Sequence, residues 1–305
     1  MTTVIIFTIF PLIIVLTVFF KQNKYKLNSN FFSNHIWRCK DILFIFCIAI
    51  AYRCFVYYFA VNKYILNYNV LLALTSLIPI VDILCVFLIL KLKYSLPFSI
   101  LGFRNNSLKP YIVLSLKIFF LEEFILNFPV GFFEYLYSKQ FLFTESGLLS
   151  IYFRSSGLWL LICILISLIL GPFVEECLYR GVLYAPFFRK VERKWTFILS
   201  SCLWTLSHGL NLPFMQLFID GLILMYLYEK SKSLIPGIFL HSLYNVPIVL
   251  IYVYSSFVIK NPITGHHAQV MAFSISLASL VLFLLLCIFT KNFFRIREAK
   301  DVSTE

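Results

Sequence analysis

Residues 157–185 read GLWLLICILISLILGPFVEECLYRGVLYA. The first half carries no charge, yet the same apolar run goes on to hold Glu175, Glu176 and Arg180. About 20 predominantly apolar residues, at about 1.5 Å each, cross the hydrocarbon core of a bilayer. The stretch is long enough to do so. Its three ionisable groups then fall where each costs at least about 2.5–3.5 kcal/mol unless it has a partner or a task.

The rest of the chain agrees with a membrane reading. Of 305 residues, 61% are hydrophobic and only 13% charged, against about 25% charged in soluble domains. So few charges cannot cover a water-soluble surface, which excludes a soluble globular enzyme. Apolar runs predict nine helices, near 3–20, 41–61, 70–90, 110–137, 157–185, 195–210, 212–229, 234–256 and 268–290. The fold class is all-α, a polytopic membrane protein. The first run has no positively charged n-region and no small-residue cleavage site, and reads as a retained span. The chain divides into N-terminal helices without recognisable motifs (1–150), a motif-bearing core (151–256), and a last helix with a basic tail (257–305).

Lys and Arg number 26 against 14 Asp and Glu, a formal charge of +12. Nucleic acid is not the expected partner, because cytoplasmic loops of membrane proteins collect Lys and Arg. Loops 21–40, 91–109, 186–194, 230–233 and 291–305 hold 19 of the 26, and the alternate loops hold 4. That asymmetry predicts an outside N-terminus and a cytoplasmic C-terminus. The eight cysteines contain no C-x-x-C pair and sit mostly in apolar runs, as small buried hydrophobes do.

The ionisable residues left inside the spans are the informative ones. Arg53 and Asp82 each lie about twelve residues into adjacent antiparallel spans and are candidates for a structural pair. Lys117 with Glu122 or Glu123 is a second candidate, Glu134 belongs near the outer interface, and Asp220 is either a structural hydrogen-bonding group or part of a cavity wall. The densest set runs from 171 to 245. Glu176 and Arg180 are four apart on one helical face and can pair; Glu175 is rotated by about 100° and has no partner within its helix. Trp204 and His208 share a second face, His241 and Asn245 a third. Each is costly alone, but together they can satisfy one another around a water-containing cavity. A glutamate and two histidines can activate water, directly or through a metal, and an Asn amide can donate to an oxyanion. Ser207 and Cys177 lie on other faces, so no nucleophilic side chain is called for.

In this order, Glu175-Glu176-x-x-x-Arg180, Trp204-x-x-x-His208 and His241-x-x-x-Asn245 resemble the motifs of the CAAX-protease and bacteriocin-processing (Abi) family of intramembrane proteases. The likeness covers about 157–250. One departure is Trp204, which stands where the family usually has Phe. The resemblance implies that Glu175 activates the hydrolytic water with help from His208, and that His241 and Asn245 hold the oxyanion. Glu176 and Arg180 would be supporting structure. Glu175, His208 and His241 also number the three ligands that a catalytic zinc takes. The zincin H-E-x-x-H spacing is absent, which favours a glutamate mechanism with little or no metal dependence. Counted along their helices from the cytoplasmic side, Glu175 and His241 lie roughly 10–15 Å deep and His208 roughly 20 Å, around a cavity open to the cytoplasm.

The expected activity is intramembrane endopeptidase action on a membrane-associated peptide or protein. The Phe-, Ile-, Lys- and Asn-rich usage points to the multi-pass cell membrane of an AT-rich bacterium, without prenylated substrates. The alternative is a non-proteolytic immunity factor or scaffold that binds a peptide or partner protein. A transporter is the third choice, disfavoured by the lack of a repeat.

Overall fold

The computed structural model describes residues 39–61, 68–103, 108–127, 157–184, 192–208, 214–254 and 266–289. The expected span 3–20, Glu134, and most of the loops that carry the charge asymmetry lie outside the described residues. Those that are described form helices and short connections, with no strand among them. They are α1 (Cys39–Val61), α2 (Tyr68–Ser76), α3 (Ile78–Phe87), α4 (Lys109–Glu122), α5 (Leu158–Leu165), α6 (Gly171–Glu175), α7 (Arg193–Ser207), α8 (Phe214–Ser231), α9 (Ile235–Tyr254) and α10 (His266–Phe289).

Two rods are long and apolar enough to cross a membrane by length and composition: Val70–Lys93, through α2 and α3, and Leu158–Leu183, through α5 and α6. Large apolar side chains point outward, among them Leu158, Leu92, Ile288, Phe44 and Ile169, while Asp82, Lys117, Glu176, Arg180 and Asp220 are buried. So many outward-facing large apolar side chains are unusual for a soluble domain.

The second rod is not uniformly α-helical. Pro172 has no N–H to donate to the preceding turn, and its ring crowds the carbonyl four residues back. The helix widens into π turns on both sides, over Ile166–Leu170 and Glu176–Leu183. At Gly171 a side chain would stand 3.0 Å from the Ile166 carbonyl oxygen, so a residue without Cβ sits there. Wide turns of this kind recur at functional sites because they re-aim side chains locally. Here the second one carries Glu176 and Arg180.

Three junctions fix the neighbouring helices. Arg193 of α7 grips Glu229 of α8 through Nε and Nη2, at 2.7 and 2.6 Å. Leu234 N–H donates to the Gly102 carbonyl, and Tyr228 hydroxyl to the Leu101 carbonyl, which seats the α8–α9 corner on the segment after α3. Lys232 turns that corner with φ at 53°, and Ser231 and Ser233 hydroxyls accept the N–H groups of Ser233 and Ile235. Pro236 and Gly237 lie within the first turn of α9. A proline costs nothing there, since first-turn N–H groups have no helical partner.

The α7–α8 contact depends on Gly221. A Cβ at that position would stand 3.0 Å from Ser201 Cβ and 3.2 Å from its Cα, so the helices approach backbone to side chain. Gly221→Ala is expected to lower stability by about 1–3 kcal/mol through overpacking. Thermal unfolding in detergent measures this, and adding Ser201→Gly should restore part of the loss.

Buried charges are paired across helices. Arg53 of α1 clasps Asp82 of α3 with both guanidinium nitrogens, at 3.0 and 2.5 Å, so this candidate pair is formed. Glu122 accepts the Tyr244 hydroxyl, and Asp220 lies beside Glu122. Asp220 is thus buried in α8 next to side chains of α4 and α9.

Candidate active site

Glu175 is the last residue of α6 and Glu176 opens the wide turn that follows. The step between them divides their tasks. Glu176 is fully buried; its Oε1 accepts from Arg180 Nη1 at 2.8 Å and lies 3.0 Å from His241 Nδ1. Its Oε2 lies against α9 at Gly237, where a Cβ would come within 3.1 Å. The Glu176–Arg180 pair expected from their spacing is present, and Arg180 Nη2 continues to the Gly221 carbonyl at 3.3 Å.

Glu175 finds across the interface the partner that its own helix lacks. Trp204 Nε1–H of α7 donates to Glu175 Oε2 at 2.7 Å. The same oxygen lies 3.6 Å from His208 Nε2 and 3.9 Å from His241 Nε2. Glu175, His208 and His241 therefore meet at one place, from three separate helical segments.

The other ring nitrogen of each histidine is engaged. His208 Nδ1 is 2.9 Å from the Trp204 carbonyl oxygen. A carbonyl only accepts, so Nδ1 carries the proton and, in the neutral ring, Nε2 presents a lone pair. His241 Nδ1 faces the Glu176 carboxylate, which imposes the same tautomer. Two Nε2 atoms and a carboxylate oxygen thus converge with electron-rich sides facing one another. Such a cluster calls for protons, a donating water or a cation between its members.

His208 differs from its expected setting. The helix predicted over 195–210 ends at Ser207, and His208 sits just past it, with its imidazole bonded to a carbonyl of the last turn. Basic side chains suit that end of a helix because its carbonyls lack intrahelical donors. The expected depth mismatch also has an explanation. Tyr184, at the end of the α6 rod, packs edge-on against Phe197 with centroids 6.0 Å apart. Phe197 is four residues into α7, so α7 starts about one turn beyond the level of Tyr184. From that common level, His208 and Glu175 lie eleven and nine residues along their helices, and they meet.

Asn245 lies one turn beyond His241, and its Nδ2 donates to the Ser167 carbonyl at 2.8 Å. Ser167 sits in the wide turn preceding Pro172. This bond uses one of the two amide protons. The side chains of His208, Glu175 and His241 are 32%, 20% and 6% exposed, so the site opens at His208 and closes at His241.

Sequence reasoning did not foresee the Trp204–Glu175 bond, the His241–Glu176 bond or the Gly237 contact. The indole N–H was a usable signal, since a buried Trp finds an acceptor. Glycine at 237, one turn before His241, was another. The others depend on ring orientation, which spacing does not encode.

For a metal, the candidate donors are Glu175, His208 and His241. Their backing bonds resemble those of metal-bound imidazoles. Among the described residues, however, no group of three His, Cys, Asp or Glu side chains is gathered closely enough to hold an ion. Glu175 Oε2 is already taken by the indole N–H.

Residues 157–247 match the family model described as Rce1-like, type II CAAX prenyl endopeptidase. The matched stretch runs from the start of the α5–α6 rod past Asn245 and contains all three motifs. No curated protein and no solved structure matches the chain.

Proposed function

We propose, taking residues 157–247 as an Rce1-like CAAX-protease segment, that this chain hydrolyses a peptide bond of a membrane-associated peptide or protein. The observation that carries the reading is the convergence of Glu175 Oε2 with His208 and His241 Nε2 at 3.6 and 3.9 Å. A water lodged there has two acceptors for its protons and keeps a lone pair for a substrate carbonyl.

In this reading Glu175 is the general base. Its carboxylate takes a proton from the water as the oxygen attacks the carbonyl carbon. His208, at the open side, orients that water through Nε2. His241 acts as an imidazolium, donating Nδ1–H to Glu176 and Nε2–H to the oxyanion; Arg180 and this cation then balance Glu175 and Glu176. The second amide proton of Asn245 supports the oxyanion. When the tetrahedral intermediate collapses, the carbon–nitrogen bond breaks and the proton on Glu175 passes to the leaving amine. If a divalent metal such as zinc were bound, Glu175, His208 and His241 would be the residues to hold it; the steps above do not use one.

In this reading the protein is a multi-pass component of a bacterial cell membrane, with nine spans, the N-terminus outside and the site open to the cytoplasm. Its low charge content and outward apolar side chains support a membrane setting. The test is cleavage of quenched fluorescent membrane-anchored peptides, prenylated and unprenylated, in liposomes. Wild type is expected to cleave and Glu175→Gln is not. Full activity of Glu175→Gln would refute the reading.

A further inference from the structure

We propose that Trp204 is a positioning residue: its indole N–H fixes the carboxylate of Glu175, and its ring sets the spacing of the two imidazoles. The inference rests on the protease reading above and adds to it a determinant for this chain's own geometry. Trp204 is 1% exposed, yet it contacts Glu175, His208, His241 and Arg180. Its N–H donates to Glu175 Oε2 at 2.7 Å, and its backbone carbonyl accepts from His208 Nδ1 at 2.9 Å. The ring packs edge-on against His208, with centroids 4.8 Å apart, and against His241 at 5.4 Å. Arg180 Cζ lies 4.9 Å from the ring centre on a further side.

A neutral N–H on a carboxylate makes a charge-assisted bond, shorter and stronger than a neutral pair. Without it, Glu175 Oε2 faces the lone pair of His208 Nε2, an arrangement the carboxylate relieves by rotating away. Phenylalanine at 204 would preserve aromatic packing but supply no donor. The N–H, beyond the ring, is therefore what keeps Glu175 pointed at the water. Misplacement of a reacting group by about 1 Å can cost on the order of 100-fold.

The experiment compares wild type, Trp204→Phe, Glu175→Gln, and protein in which an analogue with sulfur in place of the indole nitrogen is incorporated at 204. Cleavage of the same anchored peptides, unfolding temperature and the Trp204 indole N–H resonance are measured. Trp204→Phe and the sulfur analogue are expected to lose about 10–100-fold in kcat, with KM within about threefold because the residue does not contact substrate. The analogue retains the unfolding temperature. The indole proton signal should move upfield in Glu175→Gln, where a neutral amide replaces the carboxylate. If the sulfur analogue kept full kcat while Glu175→Gln was inactive, the positioning role would be overturned and the protease reading would stand. An indole resonance unmoved by Glu175→Gln would overturn it equally. Full activity in Glu175→Gln would remove the protease reading itself.

Discussion

Glu175→Gln is expected to lower peptide hydrolysis by about 10³–10⁴-fold, the upper part of the range a general base contributes. The substitution is nearly isosteric. A glutamine oxygen still accepts the Trp204 N–H now given to Oε2, so the indole and the two imidazoles keep their packing. What disappears is the ability to take a proton from water and return it to the leaving amine. The fold should persist because Glu175 is not the buried anchor of the bundle. It is partly exposed, while Glu176 carries the pairing to Arg180 and His241. Unfolding of the variant within about 1 kcal/mol of wild type, the ordinary range for a side chain with one replaceable hydrogen bond, accompanies the loss of activity.

The same variant discriminates the rival reading. A scaffold or immunity factor that binds a peptide through this cavity needs shape and hydrogen bonds, both retained by glutamine, so its cellular effect would survive. A hydrolase would lose its effect at matched expression. His208→Ala serves as the companion, since it removes a group at the open side and leaves the buried charges untouched.

Much of the helical layout was legible in the sequence because membrane-length apolar runs leave little choice of conformation. The Glu176–Arg180 pair was legible for a local reason, four residues on one turn of helix. The Arg53–Asp82 pair was accessible too, because each residue lies about twelve positions into its own apolar run, in successive runs expected to be antiparallel. His208 shows where that argument stops. Counting from helix ends treats those ends as level, and α7 begins about one turn beyond the end of the α6 rod, where Tyr184 meets Phe197. The roles of ring nitrogens were likewise hidden. That both Nδ1 atoms face acceptors and both Nε2 atoms face Glu175 follows from side-chain rotation, and periodicity carries no record of it. Trp204 was read as an aromatic exchange, because a sequence motif scores its ring and not its N–H.

Glu176→Gln is expected to lower stability by about 3–5 kcal/mol, the cost of removing one partner from a buried ion pair. Glu176 and Arg180 are both fully buried, and Arg180 Nη1 donates to Glu176 Oε1 at 2.8 Å. With the carboxylate neutralised, the guanidinium is left as a desolvated cation whose remaining hydrogen bond in this direction runs to the Gly221 carbonyl. The double variant Glu176→Leu with Arg180→Met removes both charges and fills similar volume. It should recover most of the lost stability, since replacing a whole buried pair by apolar residues is often neutral. Activity should not return with it. His241 Nδ1 also depends on Glu176 Oε1, and an imidazole without that acceptor loses its fixed tautomer and orientation. Cleavage at least about 100-fold below wild type is expected in the refolded double variant, in line with the losses seen when an active-site histidine loses its orienting carboxylate. Equilibrium unfolding in mixed micelles and the liposome cleavage assay together separate the two effects. A double variant that was stable and fully active would confine Glu176 to structural support; one that was stable and inactive would make it the residue that orients His241.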